Sequence, residues 1–200
     1  MNTKDTVLVA LFCALIIVLG FIPPIPMPGV PVPITLQTFG VMLAGLILGP
    51  RRAGFVLLLY VAIALLGIPV LPGGRAGMAV LAGPTGGFLL GMIPGAMLTG
   101  WLAGRRQPVH EVHTQARRHA RTQQPSRARM SGWSVVRLWF ACMVGGVVLV
   151  YACGIPWLSA VSGMSLVKAF WVMLVFVPGD IAKALVAAII AERLRGLNLT

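Results

Sequence analysis

Long apolar runs with very few charges constrain this chain more than any other feature of its sequence. A helix that crosses the hydrocarbon core of a bilayer needs about 20 predominantly apolar residues, and the longest run here, residues 166–191, exceeds that length. Only 10% of the residues are charged and the mean hydropathy is +0.93, whereas soluble domains carry about 25% charged residues. The sequence excludes a soluble enzyme and a disordered chain. It predicts an all-α integral membrane protein, with a single transmembrane domain over residues 1–200.

The apolar runs predict six transmembrane helices, because turns rich in glycine, proline or charge separate them. The predicted spans are residues 7–22, 34–48, 53–66, 85–103, 135–153 and 166–191. The first, third and fifth spans each end in a glycine and a following Ile-Pro pair, with the prolines at Pro23, Pro69 and Pro156. Glycine ends a helix readily and proline prevents its continuation, so we expect all three helices to stop there.

The distribution of basic residues orients the predicted bundle, because lysine and arginine are retained in cytoplasmic loops. With the N-terminus inside, 13 of the 16 basic residues fall on the cytoplasmic side. The opposite face receives Arg75 and Lys168, and Lys183 lies within a span. An even number of spans then predicts a multi-pass protein with both termini in the cytoplasm.

The connection between the fourth and fifth predicted helices, residues 104–132, is strongly basic. Seven arginines lie between Arg105 and Arg129, against the single acidic residue Glu111. Such a run can bind nucleic acid, but it lacks interleaved aromatic residues. We therefore favour a cytoplasmic loop that attracts the headgroups of anionic membrane lipid, and we expect no nucleic acid as a partner. All three histidines lie in the same segment without a cysteine or paired carboxylates, so we expect no metal and no cofactor.

Asp180 and Lys183 give the sharpest signal for function. Each such charge inside a span costs about 2.5–3.5 kcal/mol, so it is rarely without a role. The two residues are three apart and lie on one helical face, and Pro178 removes a helical hydrogen bond and can bend the helix there. The pair is either a structural ion pair or a ligand site. In a ligand site the carboxylate accepts two N–H groups, and the ammonium donates to a carbonyl or carboxylate.

Polar groups near the outer helix ends are further candidates for substrate binding: Gln37, Arg75, Thr85, Gly86 and Gly87. The last three open the fourth helix, where free backbone N–H groups can meet a polar ligand group. Close helix packing explains these glycines equally well on physical grounds. Gln37 lies at the start of the second helix, and Arg75 lies on the outer face.

The segment from Pro23 to Pro33 contains six prolines and cannot form a helix. Because it is apolar and stiff, it predicts either a cap over the outer end of the bundle or a simple connecting loop. On the first helix, Ala10 and Ala14 form a small-xxx-small pair, which allows close contact with a helix of this chain or of a partner.

The chain carries no sequence motif for catalysis. Hydrolysis, phosphoryl transfer and redox chemistry need nucleophiles, paired acids, metal ligands or cofactor motifs. There are only four acidic residues, of which Asp180 alone lies deep in a span, and there is no Walker lysine. The sequence therefore predicts a subunit that captures a solute, not an enzyme or an autonomous ATP-driven pump.

Three motifs give the chain a resemblance to a known family. They are Pro31-Val-Pro33-Ile-Thr35-Leu-Gln37-Thr38, Gly83-Pro84-Thr85-Gly86-Gly87-Phe88 and Gly179-Asp180-Ile-Ala-Lys183. In these motifs and their order, the chain resembles the BioY-type biotin transporters, the substrate-binding S components of energy-coupling factor transporters. The resemblance extends along the whole chain. The Arg-rich insert after Arg106 departs from it, being longer than the family's usual link between helices four and five.

The resemblance implies a six-helix S-component bundle that captures biotin with high affinity outside the bacterial cytoplasmic (inner) membrane. It also implies association with a transmembrane T component, which Ala10 and Ala14 would contact, and with two ATPase subunits. Some family members are thought to work alone. The open alternatives are an S component for another vitamin and a non-transporting membrane scaffold with a structural ion pair.

For the ligand, the resemblance implies that Asp180 and Lys183 hold the ureido ring of biotin. The valerate carboxylate then points toward residues 85–87 or toward Arg75.

Overall fold

The computed structural model describes residues 3–104 and 132–195, and the elements in these ranges are helices. They are α1 (Thr3–Phe21), α2 (Gln37–Leu65), α3 (Ala79–Ala82), α4 (Gly86–Leu102), α5 (Gly132–Ala141), α6 (Val150–Ser162), α7 (Leu166–Leu174) and α8 (Val177–Arg195). A π-helical segment, Cys142–Leu149, joins α5 to α6 without a break. Most of the predicted Arg-rich loop, residues 104–132, lies outside the described residues, as do the three histidines.

Three of the described helices are long and apolar enough to cross a membrane: Thr3–Phe21, Gln37–Leu65 and Ser134–Ser162. The bent pair of α7 and α8 adds a fourth if it is taken as one span, and α4 is an apolar helix of 17 residues. The described chain is therefore an all-helical bundle with several apolar helices, as the hydropathy pattern predicted.

Helix α2 reverses direction at Gly49, whose backbone has φ +77° and ψ 176°. A straight helix of 29 residues would be about 43 Å long, well beyond a hydrocarbon core of about 30 Å. Contacts on both sides of the break show the reversal: Gly45 packs on Thr99, and Gly54 packs on Met97, two residues away on α4. The two arms, residues 37–48 and 50–65, match the predicted second and third spans, each displaced by three residues at its start.

Glycines let α4 pack closely against the helix that runs from α5 to α6. A β-carbon on Gly91 would lie 2.8 Å from the β-carbon of Cys153, and one on Gly95 would lie 2.8 Å from the carbonyl oxygen of Gly145. In a bilayer, helices associate through such close van der Waals packing and not through the hydrophobic effect. Gly91 and Gly95 therefore serve close helix packing.

The predicted end of the fifth span near Cys153 is wrong. The helix continues through Pro156 to Ser162 and ends at Gly163, which has a left-handed backbone (φ +66°). Gly154 does not terminate the helix, because the ring of Phe88 packs where a β-carbon would be. Proline is tolerated inside membrane helices where neighbouring groups satisfy the backbone. The first and third predicted ends are confirmed, since α1 stops at Phe21 and α2 at Leu65.

The sixth predicted span is not one continuous helix. It consists of α7 and α8, which meet at an angle of 53°. Pro178 accounts for the break, because it has no N–H to continue the helical hydrogen bonds of α7 and is tolerated in a first turn. Asp180 consequently lies in the first turn of α8 and not in mid-helix. There its negative charge meets the positive end of the helix dipole, which stabilises it.

Candidate functional site

Asp180 and Lys183 lie together on α8, as their spacing predicted. The ammonium nitrogen of Lys183 is 3.1 Å from Oδ1 of Asp180, and the side chains are only 14% and 7% exposed, respectively. A charge in a dry environment is costly unless it is paired and hydrogen-bonded. The first turn of α8 therefore presents one well-shielded ion pair to its neighbours.

Lys183 also binds the region where the proline-rich segment enters α2. Its Nζ donates to the carbonyl oxygen of Thr35 at 2.8 Å and to Oγ1 of Thr38 at 3.2 Å. An ammonium has three N–H donors, so the protein itself occupies all three. A ligand that accepts a hydrogen bond from Lys183 must replace one of these partners, and the Thr38 hydroxyl, the most distant of the three, is the weakest.

Tyr151 completes the shell around the carboxylate, and the sequence analysis missed it. Its hydroxyl donates to Oδ2 of Asp180 at 2.6 Å, a length typical of O–H bonds to a charged carboxylate. Its ring packs edge-on against Phe88, with centroids 6.1 Å apart. A tyrosine in an apolar helix, one of only two in the chain, was the available signal, because a buried phenol usually finds a hydrogen-bond partner.

These polar groups line a cavity of about 90 Å³ between the helices. Its charged lining residues are Arg75, Asp180 and Lys183, which together carry one net positive charge. Most of the remaining wall is apolar, and the other lining residues include Val32, Pro33, Gln37, Thr85, Phe88, Met92, Val150 and Tyr151. Apolar walls with a few convergent polar groups are the usual form of a small-molecule site.

Arg75 and Thr85 reach the same cavity from a different part of the chain. The Arg75 Nη1 donates to Oγ1 of Thr85 at 3.2 Å, and its Nε donates to the carbonyl oxygen of Pro72, also at 3.2 Å. Neither bond is to a carboxylate, so the guanidinium charge has no anionic partner among residues 3–104 and 132–195. Gln37 is buried and lines the cavity, where its amide nitrogen lies 3.5 Å from the sulfur of Met92.

Gly86 and Gly87 are buried beside the cavity but do not line it. The backbone of Leu81 packs where a β-carbon on Gly86 would be, and Trp157 occupies that place for Gly87. The N–H group of Gly86 donates to the carbonyl oxygen of Gly83 at 3.1 Å. The structure thus gives both glycines a packing role, and a contact of their backbone with substrate remains a prediction.

The proline-rich segment folds back on itself beside the cavity. Ile25 and Ile34 exchange two backbone hydrogen bonds of 2.9 Å, and Val32 and Pro33 contribute to the cavity lining. That the segment acts as a cap stays a prediction. Ala10 and Ala14 do not belong to this region. They lie on the exposed face of α1, which the rest of the described bundle leaves uncovered.

Known proteins resemble this chain over nearly its whole length. The model of the BioY family matches residues 1–198. The biotin transporter BioY of Rhizobium etli is 42% identical over 192 residues, which cover 96% of this chain and 93% of that protein. The biotin transporter BioY of Rhodobacter capsulatus is 38% identical over 200 residues, which cover 94% and 92%.

A solved structure agrees with these sequence relatives. The crystal structure of the S-component for biotin from an ECF-type ABC transporter has a TM-score of 0.78 and 32% sequence identity to this chain. The alignment covers 98% of this chain and 94% of that one. The bundle and the residues around its cavity therefore share a fold with a transporter subunit.

Proposed function

The chain belongs to the BioY family, and from this membership we propose that it binds biotin as the substrate-specific S component of an ECF-type transporter. The observation that carries the proposal is the cavity, in which one shielded carboxylate and two cations meet apolar walls. It is a transporter subunit and not an enzyme. The polar groups that surround Asp180 among the described residues support a role in binding.

The chemistry of biotin matches this arrangement group by group. Its ureido ring has two N–H donors and one carbonyl acceptor, its thioether ring is apolar, and its valerate chain ends in a carboxylate. Asp180 accepts from one ureido N–H, and Lys183 donates to the adjacent carbonyl after exchanging its bond to Thr38. The net charge of +1 around the cavity complements the single negative charge of the ligand.

The valerate carboxylate binds Arg75 in this proposal, with Thr85 beside it. An arginine that already holds a neutral hydroxyl at 3.2 Å gains a charge-assisted, bidentate partner when a carboxylate arrives. Gln37 supplies an amide that can donate or accept at the cavity wall. The backbone of Gly86 and Gly87 supports this end of the site through the packing that positions Thr85.

Uptake requires partners that supply energy, because the chain has no Walker lysine of its own. We propose that the exposed face of α1, with Ala10 and Ala14 at its centre, contacts the T component, and that two ATPase subunits complete the transporter. The bundle then crosses the inner membrane six times. Each arm of α2 counts as one crossing, and the bent pair of α7 and α8 counts as one. Both termini and the Arg-rich loop, residues 104–132, lie in the cytoplasm beside anionic lipid.

Calorimetry on the purified, detergent-solubilised chain tests the proposal directly. We expect one mole of biotin to bind per mole of protein, and riboflavin, which has neither a cyclic urea with two N–H groups nor a carboxylate, to give no binding heat. Binding of riboflavin and not biotin would indicate an S component for another vitamin. Binding of neither, by a protein that remains folded, would contradict the transport function and favour a membrane scaffold.

A further inference from the structure

Both carboxylate oxygens of Asp180 are already engaged, each by a different helix. Lys183 donates to Oδ1 from the same helix, and Tyr151 donates to Oδ2 from α6. A carboxylate has about four lone-pair sites on its two oxygens. Each oxygen therefore keeps one acceptor site free, and these sites lie in the plane of the carboxylate.

The hydrogen bond from Tyr151 decides how firmly the plane of the carboxylate is held. The terminal torsion of an aspartate side chain is broad, with no sharp staggered wells. With Lys183 as its only partner, the carboxylate would be fixed at Oδ1 and free to turn about it. The 2.6 Å bond from Tyr151 fixes the second oxygen, so the orientation of the acceptor edge is set before a ligand arrives.

The π-helical segment accounts for the position of Tyr151. A π-helical hydrogen bond spans five residues and not four, so such a segment rotates the residues that follow it relative to a continuous α-helix. Cys142–Leu149 directly precedes Val150 and Tyr151, and both of these neighbours line the cavity. π-helical turns are rare in proteins, and those that occur are frequently found at functional sites.

We propose that Tyr151 is a positioning residue that acts through Asp180 and orients its carboxylate toward one N–H group of the ligand. The inference rests on the proposed binding of the ureido ring by Asp180. The two N–H bonds of a five-membered cyclic urea point to opposite sides of the ring, so Asp180 accepts one of them while Lys183 donates to the adjacent carbonyl. Tyr151 holds the carboxylate in the orientation that this N–H group requires.

The test is a double-mutant cycle on biotin affinity with Tyr151→Phe, Asp180→Asn and the double variant. Tyr151→Phe removes only the hydroxyl and keeps the ring against Phe88. We expect it to raise the Kd for biotin about tenfold, because a hydrogen bond to a charged group is lost. In the Asp180→Asn background the same change should have almost no further effect, since residues that act as a unit are not additive.

Tyr60→Phe is the matched control, because Tyr60 is the other tyrosine of the chain. It is buried and donates its hydroxyl to the carbonyl oxygen of Val70 at 3.2 Å, outside the cavity lining. We expect its biotin Kd to stay within about twofold of the wild type, a change of about 0.4 kcal/mol. An equal loss of affinity in both phenylalanine variants would show a general effect of hydroxyl removal and would overturn the inference.

A selectivity measurement keeps the inference testable if Asp180→Asn does not fold. The ratio of the Kd for biotin methylated on one ureido nitrogen to the Kd for biotin should fall in Tyr151→Phe. The positioning role alone is overturned if this ratio of Kd values does not change. It is also overturned if Tyr151→Phe changes the biotin Kd equally with and without Asp180. A folded Asp180→Asn variant with wild-type biotin affinity would instead contradict the proposed ligand site.

Discussion

Replacing Lys183 with methionine is the most informative single perturbation of the site. Methionine keeps the length and apolar stem of the side chain but removes its charge and its three N–H donors. Three bonds disappear together, to Asp180 at 3.1 Å, to the Thr35 carbonyl at 2.8 Å and to the Thr38 hydroxyl at 3.2 Å. Asp180, which is 5% exposed, then keeps the Tyr151 hydroxyl as its one side-chain partner in the described part of the chain.

Two separate losses follow from this geometry. Removing one partner of a buried ion pair costs about 3–5 kcal/mol, and this appears in the ligand-free protein as a lower thermal midpoint. Biotin additionally loses the donor to its ureido carbonyl, and it must bind a carboxylate that is less well held. We expect the Kd to rise at least about tenfold, which corresponds to about 1.4 kcal/mol.

Thermal unfolding of the ligand-free protein and calorimetry with biotin separate these effects in the same detergent. Lys168→Met is the control, because it removes the same charge from an exposed position on α7 outside the cavity. It should change neither the midpoint nor the affinity appreciably. A folded Lys183→Met variant with wild-type biotin affinity would refute the assignment, since it would leave the ion pair a purely structural role.

Three further predictions address the rest of the molecule. Arg75→Gln should weaken binding of biotin much more than binding of biotinamide, which has no carboxylate, and equal losses in titrations of both ligands would exclude a carboxylate contact. Replacing both Ala10 and Ala14 with leucine should leave biotin affinity intact and reduce copurification of a coexpressed T component; loss of biotin binding would place this face in the internal core instead. Cysteine labelling in intact cells should find positions 75 and 162 accessible from outside and Gln115 only after permeabilisation, whereas outside labelling of Gln115 would contradict the topology.

The parts of the site that follow from local sequence were predictable. Asp180 and Lys183 share a helical face because they are three residues apart, and this relation does not depend on the remainder of the fold. Tyr151 contacts Asp180 from 29 residues away, so only the packing of α6 against α8 brings the two together. No local pattern identified this pairing.

Helix ends show the same distinction between local and tertiary causes. The break at Gly49 and the end of α2 before Gly67 follow from glycines with positive φ, which the sequence indicates. Pro156 remains helical, because the surrounding bundle packs around Gly154 and outweighs a local preference to stop. The π-helical segment before Tyr151 is likewise invisible in the sequence, since glycine and valine form α-helices and π-helices alike.

The ion pair on α8 also bears on how the chain enters the membrane during synthesis. Tyr151 and Thr35 belong to other segments, so their hydrogen bonds form only when the bundle assembles. The contact between Asp180 and Lys183 spans a single turn and forms as soon as that turn is helical. Each charge alone opposes insertion by about 2.5–3.5 kcal/mol, whereas the pair enters as a neutral unit. The two side chains that are proposed to bind biotin thus also make their own helix acceptable to the insertion machinery, and we expect replacement of one of them to affect the yield of inserted protein as well as its affinity.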